Sequence, residues 1–254
     1  MHAASDMTGE VDPAGAQRVE RRSSTGDEPA PPRRSSRRER LELLVFLLLV
    51  LPPIVLGSVA EGSGQAFTIT GLATILHDVA LCALILFFLW TAGERFSAIG
   101  WTSRRLGREI ALGAALYLPV LAAITAVGWL VQAAGLEAPR SPPAALVPRS
   151  PADIVLAAVL VIVVAVAEET IFRGYLVLRL RAVTHSTAAA VALSTLLFAA
   201  GHTYSGAAGV VVVSVLAVVL ALIYLWRGSL VAPIVLHLLQ DLLGLILAPW
   251  LGLR

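Results

Sequence analysis

Fourteen uninterrupted apolar residues, Ile154 to Ala167, run directly into Glu168-Glu169-Thr170-Ile171-Phe172-Arg173. A helix needs about 20 residues to cross a hydrocarbon core about 30 Å thick, so a span beginning at Ile154 must carry both glutamates and extend at least to Arg173. Ionisable groups at that depth cost at least ~2.5–3.5 kcal/mol each on insertion scales, and they persist only when paired, facing a wet cavity, or used. Glu169 and Arg173 stand four residues apart, one helical turn, and are expected to pair. Glu168 projects about 100° further round the helix with no local partner. A carboxylate left over in a low-dielectric cleft suits a general base.

The rest of the chain agrees with a membrane setting. Of 254 residues, 57% are hydrophobic and only 14% charged, against roughly 25% charged in soluble domains. The expected fold is all-α, a polytopic transmembrane helix bundle of about seven spans. All 19 basic residues are arginine, as expected of a GC-rich bacterial genome, and eight lie in the first forty positions. Residues 1–40, rich in Arg, Pro and Ser, are expected to be a disordered cytoplasmic tail. Residues 41–254 then form the transmembrane domain. A nucleic-acid partner would need a basic folded face with aromatic or polar readers, and residues 1–40 offer only Arg among Ser, Pro, Gly and acids, so none is expected. Cys82, the single cysteine, lies in an apolar run and offers neither a disulfide nor a thiolate metal cluster.

The first span covers Leu41–Ala60 and carries Pro52-Pro53 as a kink. The second and third cover about Ile69–Trp90 and Ile110–Ala134, joined by a loop with Arg95, Arg104, Arg105 and Arg108. After the Pro-rich loop at Glu137–Pro151 and the glutamate span, Ser186 or Thr187 caps a fifth helix. A break at Gly206–Gly209, a sixth span at about Val210–Leu225 and a last one at about Leu230–Trp250 complete the chain. With the N-terminus in the cytoplasm, fifteen or sixteen of the 19 arginines fall inside, as the positive-inside rule requires. His77-Asp78, within the second span, reads either as a satisfied interhelical contact or as part of a proton path.

Three late helices carry ionisable side chains at helical spacing: Glu168, Glu169 and Arg173; His202, one turn after Phe198; and His237, one turn before Asp241. Glu-Glu-x-x-x-Arg, then Phe-x-x-x-His, then His-x-x-x-Asp, in that order in the late membrane helices, resembles the CPBP intramembrane proteases, also called the CAAX prenyl protease, bacteriocin-processing or lysostaphin-resistance-like family, in its bacterial branch. The similarity covers about residues 150–250. It implies hydrolysis of peptide bonds in the membrane, with Glu168 and His202 activating a water. His237, oriented by Asp241, would stabilise the oxyanion, and Glu169, Arg173 and Phe198 would position the groups. Asp241 stands where many members carry Asn. The same resemblance leaves open Zn²⁺ on Glu168, His202 and His237, since three N/O ligands and a water make a catalytic zinc site. The implied partners are the lipid bilayer and a protein or peptide substrate in the membrane; oligomeric state is not legible. Two other functions fit the same helices. A non-catalytic scaffold or immunity-type protein would tolerate His202→Ala, whereas a proton-coupled transporter should show an inverted repeat, which is not visible.

One step in this scheme is geometric. A fifth helix starting near Thr187 puts His202 about 22 Å along its axis, towards the outer leaflet, while Glu168 belongs nearer the inner one. A glutamate helix that runs on to about Leu180, a tilt, or a deeper start for the fifth helix would each level the two groups.

Overall fold

A computed structural model describes residues 36–59, 66–102, 105–138 and 147–248. Among them are seven helices and no strand: α1 (Ser36–Val59), α2 (Phe67–Thr91), α3 (Leu106–Ala133), α4 (Pro151–Thr184), α5 (Thr187–Ala200), α6 (Gly206–Arg227) and α7 (Val231–Asp241, continued by π turns over Leu242–Leu247). The expected helical membrane bundle is what forms. Four segments are long and apolar enough to cross a bilayer: α2, α3, α4, and α6 with the turn before it. The tail expected over 1–40 lies outside the described residues as far as 35, and α1 begins at Ser36, ahead of the expected start at Leu41.

The helix ends follow local chemistry. Ser150 accepts a hydrogen bond from the Asp153 amide while the Asp153 carboxylate accepts one from the Ser150 amide, and Pro151 occupies the first turn, where its missing N–H is harmless. Ser186 caps α5 by accepting from the Ala189 amide at 3.2 Å, as its sequence position predicts. His185, at φ 56°, closes α4 in the left-handed conformation, so α4 and α5 form a tight hairpin. Pro52 and Pro53 lie inside α1, which continues through them.

Charged clamps lie at one end of the bundle. Arg179 is 2% exposed and chelates Glu94 at 2.7 and 3.0 Å, with Glu42 at 3.6 Å. Arg227 grips Glu109 at 2.6 Å. These pairs tie together the ends of α1, α2, α3, α4 and α6. Gly113 lets α3 pack closely on α7, since a Cβ there would lie 2.6 Å from the Ala232 carbonyl oxygen and 2.8 Å from Val235 Cβ. That packing holds the helix bearing His237.

Candidate active site

Helix α4 is not a uniform α-helix. Its eight residues Glu169–Leu176 form π turns, and every one of them is buried. A π segment inserts a residue into the ladder and re-aims the side chains around it, which is why such segments recur at functional sites. No sequence signal marks it: periodicity alone treats the Glu169–Arg173 spacing as an ordinary turn.

The continuation of α4 to Thr184 levels the two groups. Glu168 lies sixteen residues before the end of α4, about 24 Å at 1.5 Å per residue, and His202 lies fifteen residues beyond the start of α5, about 22 Å. The hairpin therefore brings both to nearly the same depth. His202 itself is not inside α5, as the sequence suggests. The helix ends at Ala200, and His202 stands in the turn before Thr203–Ser205.

At the centre is one buried cluster. Glu169, fully buried, shares its Oε1 between Arg173 Nη1 at 2.9 Å and His237 Nδ1 at 2.8 Å. The expected Glu169–Arg173 pair is present, but Glu169 also takes the part assigned from sequence to Asp241, because it holds the Nδ1 side of the His237 ring. Asp241 instead faces Nε2, with its Oδ2 at 3.5 Å, and Glu168 Oε2 lies 3.6 Å from the same nitrogen. A carboxylate can only accept, so the Nδ1 of His237 carries the hydrogen given to Glu169. Nε2 is left directed at two further carboxylates.

Phe198 organises the remaining contacts. Its ring lies under the Arg173 guanidinium at 4.3 Å and beside the His202 ring at 4.6 Å, and meets the His237 ring edge-on at 6.1 Å. Arg173 also reaches the Ala217 carbonyl at 3.4 Å. The Phe198 carbonyl sits 2.9 Å from His202 Nδ1. Since a carbonyl only accepts, the neutral His202 ring has its hydrogen on Nδ1 and a free lone pair on Nε2. Two neighbours were not singled out from sequence as site residues. Tyr204 packs its ring 5.7 Å from that of His202, and Asp78 of α2 interacts electrostatically with Glu168. Neither occurs in a spacing that points to the site; each arrives through tertiary packing.

Among the described residues no group of three His, Cys, Asp or Glu side chains is placed to hold a metal ion. His202 and His237 each commit Nδ1, to the Phe198 carbonyl and the Glu169 carboxylate, and keep Nε2 out of those bonds, an arrangement that metal-bound histidines also adopt.

A membrane-embedded helical bundle enclosing a glutamate pair, two histidines and an arginine defines a class, that of polytopic membrane proteins with a buried polar cluster. Residues 150–243 match a family model, type II CAAX prenyl endopeptidase Rce1-like, so this part of the chain carries a CAAX-protease-type domain. The match takes in Glu168, Glu169, Arg173, Phe198, His202, His237 and Asp241. No curated protein and no solved structure matches the chain.

Proposed function

We propose that this protein is an intramembrane endopeptidase that hydrolyses a peptide bond of a membrane-associated protein or peptide precursor with a water activated by Glu168 and His202. The observation that carries this proposal is the placement of His237 between Glu169, at 2.8 Å on one ring nitrogen, and Glu168, at 3.6 Å on the other. Glu168 takes a proton from the water as the oxygen attacks the carbonyl carbon. His202, its Nδ1–H fixed on the Phe198 carbonyl, accepts that proton from Glu168 at Nε2 and passes it to the amine nitrogen as the C–N bond breaks, which returns Glu168 to its carboxylate form. In its imidazolium form His237 offers Nε2–H to the oxyanion, a contact worth about 2.7–4 kcal/mol in other hydrolases. The products are a carboxylate and an amine.

Arg173 and Glu169 position His237 and Phe198 rather than react. An arginine-only basic set favours a bacterial setting, so a secreted or lipid-anchored peptide precursor suits the site better than a prenylated protein. The arginine excess of residues 1–40 and of the loop carrying Arg95, Arg104, Arg105 and Arg108 supports a cytoplasmic N-terminus by the positive-inside rule. Glu168→Gln keeps the side-chain shape but cannot take a proton. In liposomes with a fluorogenic library of single-span peptides it should lose about 10²–10⁴-fold in rate while folding normally. Retention of more than roughly a tenth of the activity would refute the base assignment.

A further inference from the structure

Asp78 is an aspartate where the fold expects an apolar residue. On α2 the buried positions Gly71, Asp78, Leu81, Ile85 and Leu89 form one face, and that face packs on α4. A Cβ on Gly71 would meet Leu156 and Leu160 of α4 at 3.5 and 3.8 Å. The two helices run parallel in a steady register. Thr68 bonds Asp153 at 3.1 Å, the Phe88 and Tyr175 rings stand 6.2 Å apart, and Glu94 pairs with Arg179 at 2.7 Å. Each contact joins residues 85 to 87 positions apart, which sets Asp78 abreast of residues 163–165, about one turn before Glu168.

Elsewhere in the bundle the buried carboxylates of Glu42, Glu109 and Glu169 each meet an arginine. Asp78 is 8% exposed; its Oδ1 has only His77 Nδ1 at 3.5 Å, and its Oδ2 has no hydrogen-bond partner among the described residues. Glu168 Oε2 is likewise buried without a hydrogen-bond donor, and the two carboxylates feel each other's charge. Two buried acceptors that lack donors, about one turn apart in register and within reach of each other's charge, suit a guest with two hydrogens to give. A buried acid with no structural compensation is expected where function, not folding, keeps it.

We propose that Asp78 is a further catalytic residue, holding the second O–H of the attacking water while Glu168 takes the first. The oxygen lone pair is thereby aimed at the scissile carbonyl. This rests on the peptidase mechanism above and adds to it a residue outside the matched segment. No bond to Asp78 forms or breaks, since it only orients the water and Glu168 remains the proton acceptor.

The test measures Asp78→Asn, Asp78→Leu and Glu168→Gln side by side in the full chain, in liposomes with the same peptide library, together with thermal unfolding in detergent. Asp78→Leu, which removes the acceptor, is expected to lower kcat about 10–100-fold with KM within about twofold, the pattern of a contact made in the transition state; Asp78→Asn keeps an accepting amide oxygen and should lose less. Both should unfold at or above the wild-type temperature, because an uncompensated buried carboxylate has gone. Wild-type kcat in Asp78→Leu would overturn the proposal, and so would a parallel loss of stability and activity in both variants, the mark of a structural residue. An inactive Glu168→Gln beside a fully active Asp78→Leu removes the role of Asp78 alone. An active Glu168→Gln removes the mechanism beneath it.

Discussion

Replacing Arg173 by Met separates the electrostatics of folding from those of catalysis. The guanidinium is 2% exposed, donates to Glu169 Oε1 at 2.9 Å and covers the Phe198 ring at 4.3 Å. Met keeps the length of the stem and removes the charge. Breaking a buried pair from one side costs about 3–5 kcal/mol, because the partner stays behind as an uncompensated charge. Loss of a desolvated cation–π contact adds about 2 kcal/mol. The Ala217 contact at 3.4 Å is too long to add much. Against this, Glu169 keeps the His237 Nδ1–H at 2.8 Å, so the net loss should fall at about 3–5 kcal/mol. The double variant Glu169→Leu, Arg173→Met removes both charges and should recover most of that loss, as apolar replacements of buried ion pairs do. It should not recover activity, since His237 is left without the acceptor that fixes its ring. Unfolding in SDS–detergent mixtures, followed through the five tryptophans, gives the stabilities, and peptide cleavage gives the rates. A loss below about 1 kcal/mol in Arg173→Met would refute the buried-pair account. So would wild-type cleavage by the double variant.

In a Cys82→Ala background, a cysteine at Ala98 should be labelled by an impermeant maleimide only from the cytoplasmic side and one at Ala138 only from outside; the reverse pattern would invert the topology. Asp241→Asn should change the rate only a few-fold, since Glu169 rather than Asp241 holds the Nδ1 side of His237, and a loss of 10–100-fold would assign Asp241 a tuning role comparable to that of an outer-shell metal partner. Purified protein is expected to hold well under one equivalent of zinc per chain; stoichiometric zinc, lost together with activity on chelation, would make Glu168, His202 and His237 a ligand set after all.

Much of the fold was legible because its signals are local. Hydrophobic runs such as Ile154–Ala167 leave a chain few ways to satisfy its backbone in lipid, so helices followed from composition and length. The cap at Ser186 is read from a few neighbouring residues. The Glu169–Arg173 pair was equally visible, because four residues separate its members. Partners distant in sequence were not. Arg179 finds Glu94 across 85 positions and Arg227 finds Glu109 across 118, and no periodicity connects them.

The sequence by itself determined the class of structure, the membrane setting and the residue types of the site, since each depends on hydrophobicity, spacing and the high cost of charge in lipid. Tertiary structure alone decided how those groups share their protons. The π turns of Glu169–Leu176, the extension of α4 to Thr184 and the end of α5 at Ala200 set the phase and depth at which Glu168, Glu169 and His202 meet. Packing of α7 against Gly113 of α3 brings in His237, whose Nδ1 is taken by Glu169 and not by its own helix neighbour Asp241. Asp78 joins the same centre from α2, ninety residues before Glu168. Such hydrogen-bond assignments depend on ångström-scale distances between helices, which spacing along one helix does not encode.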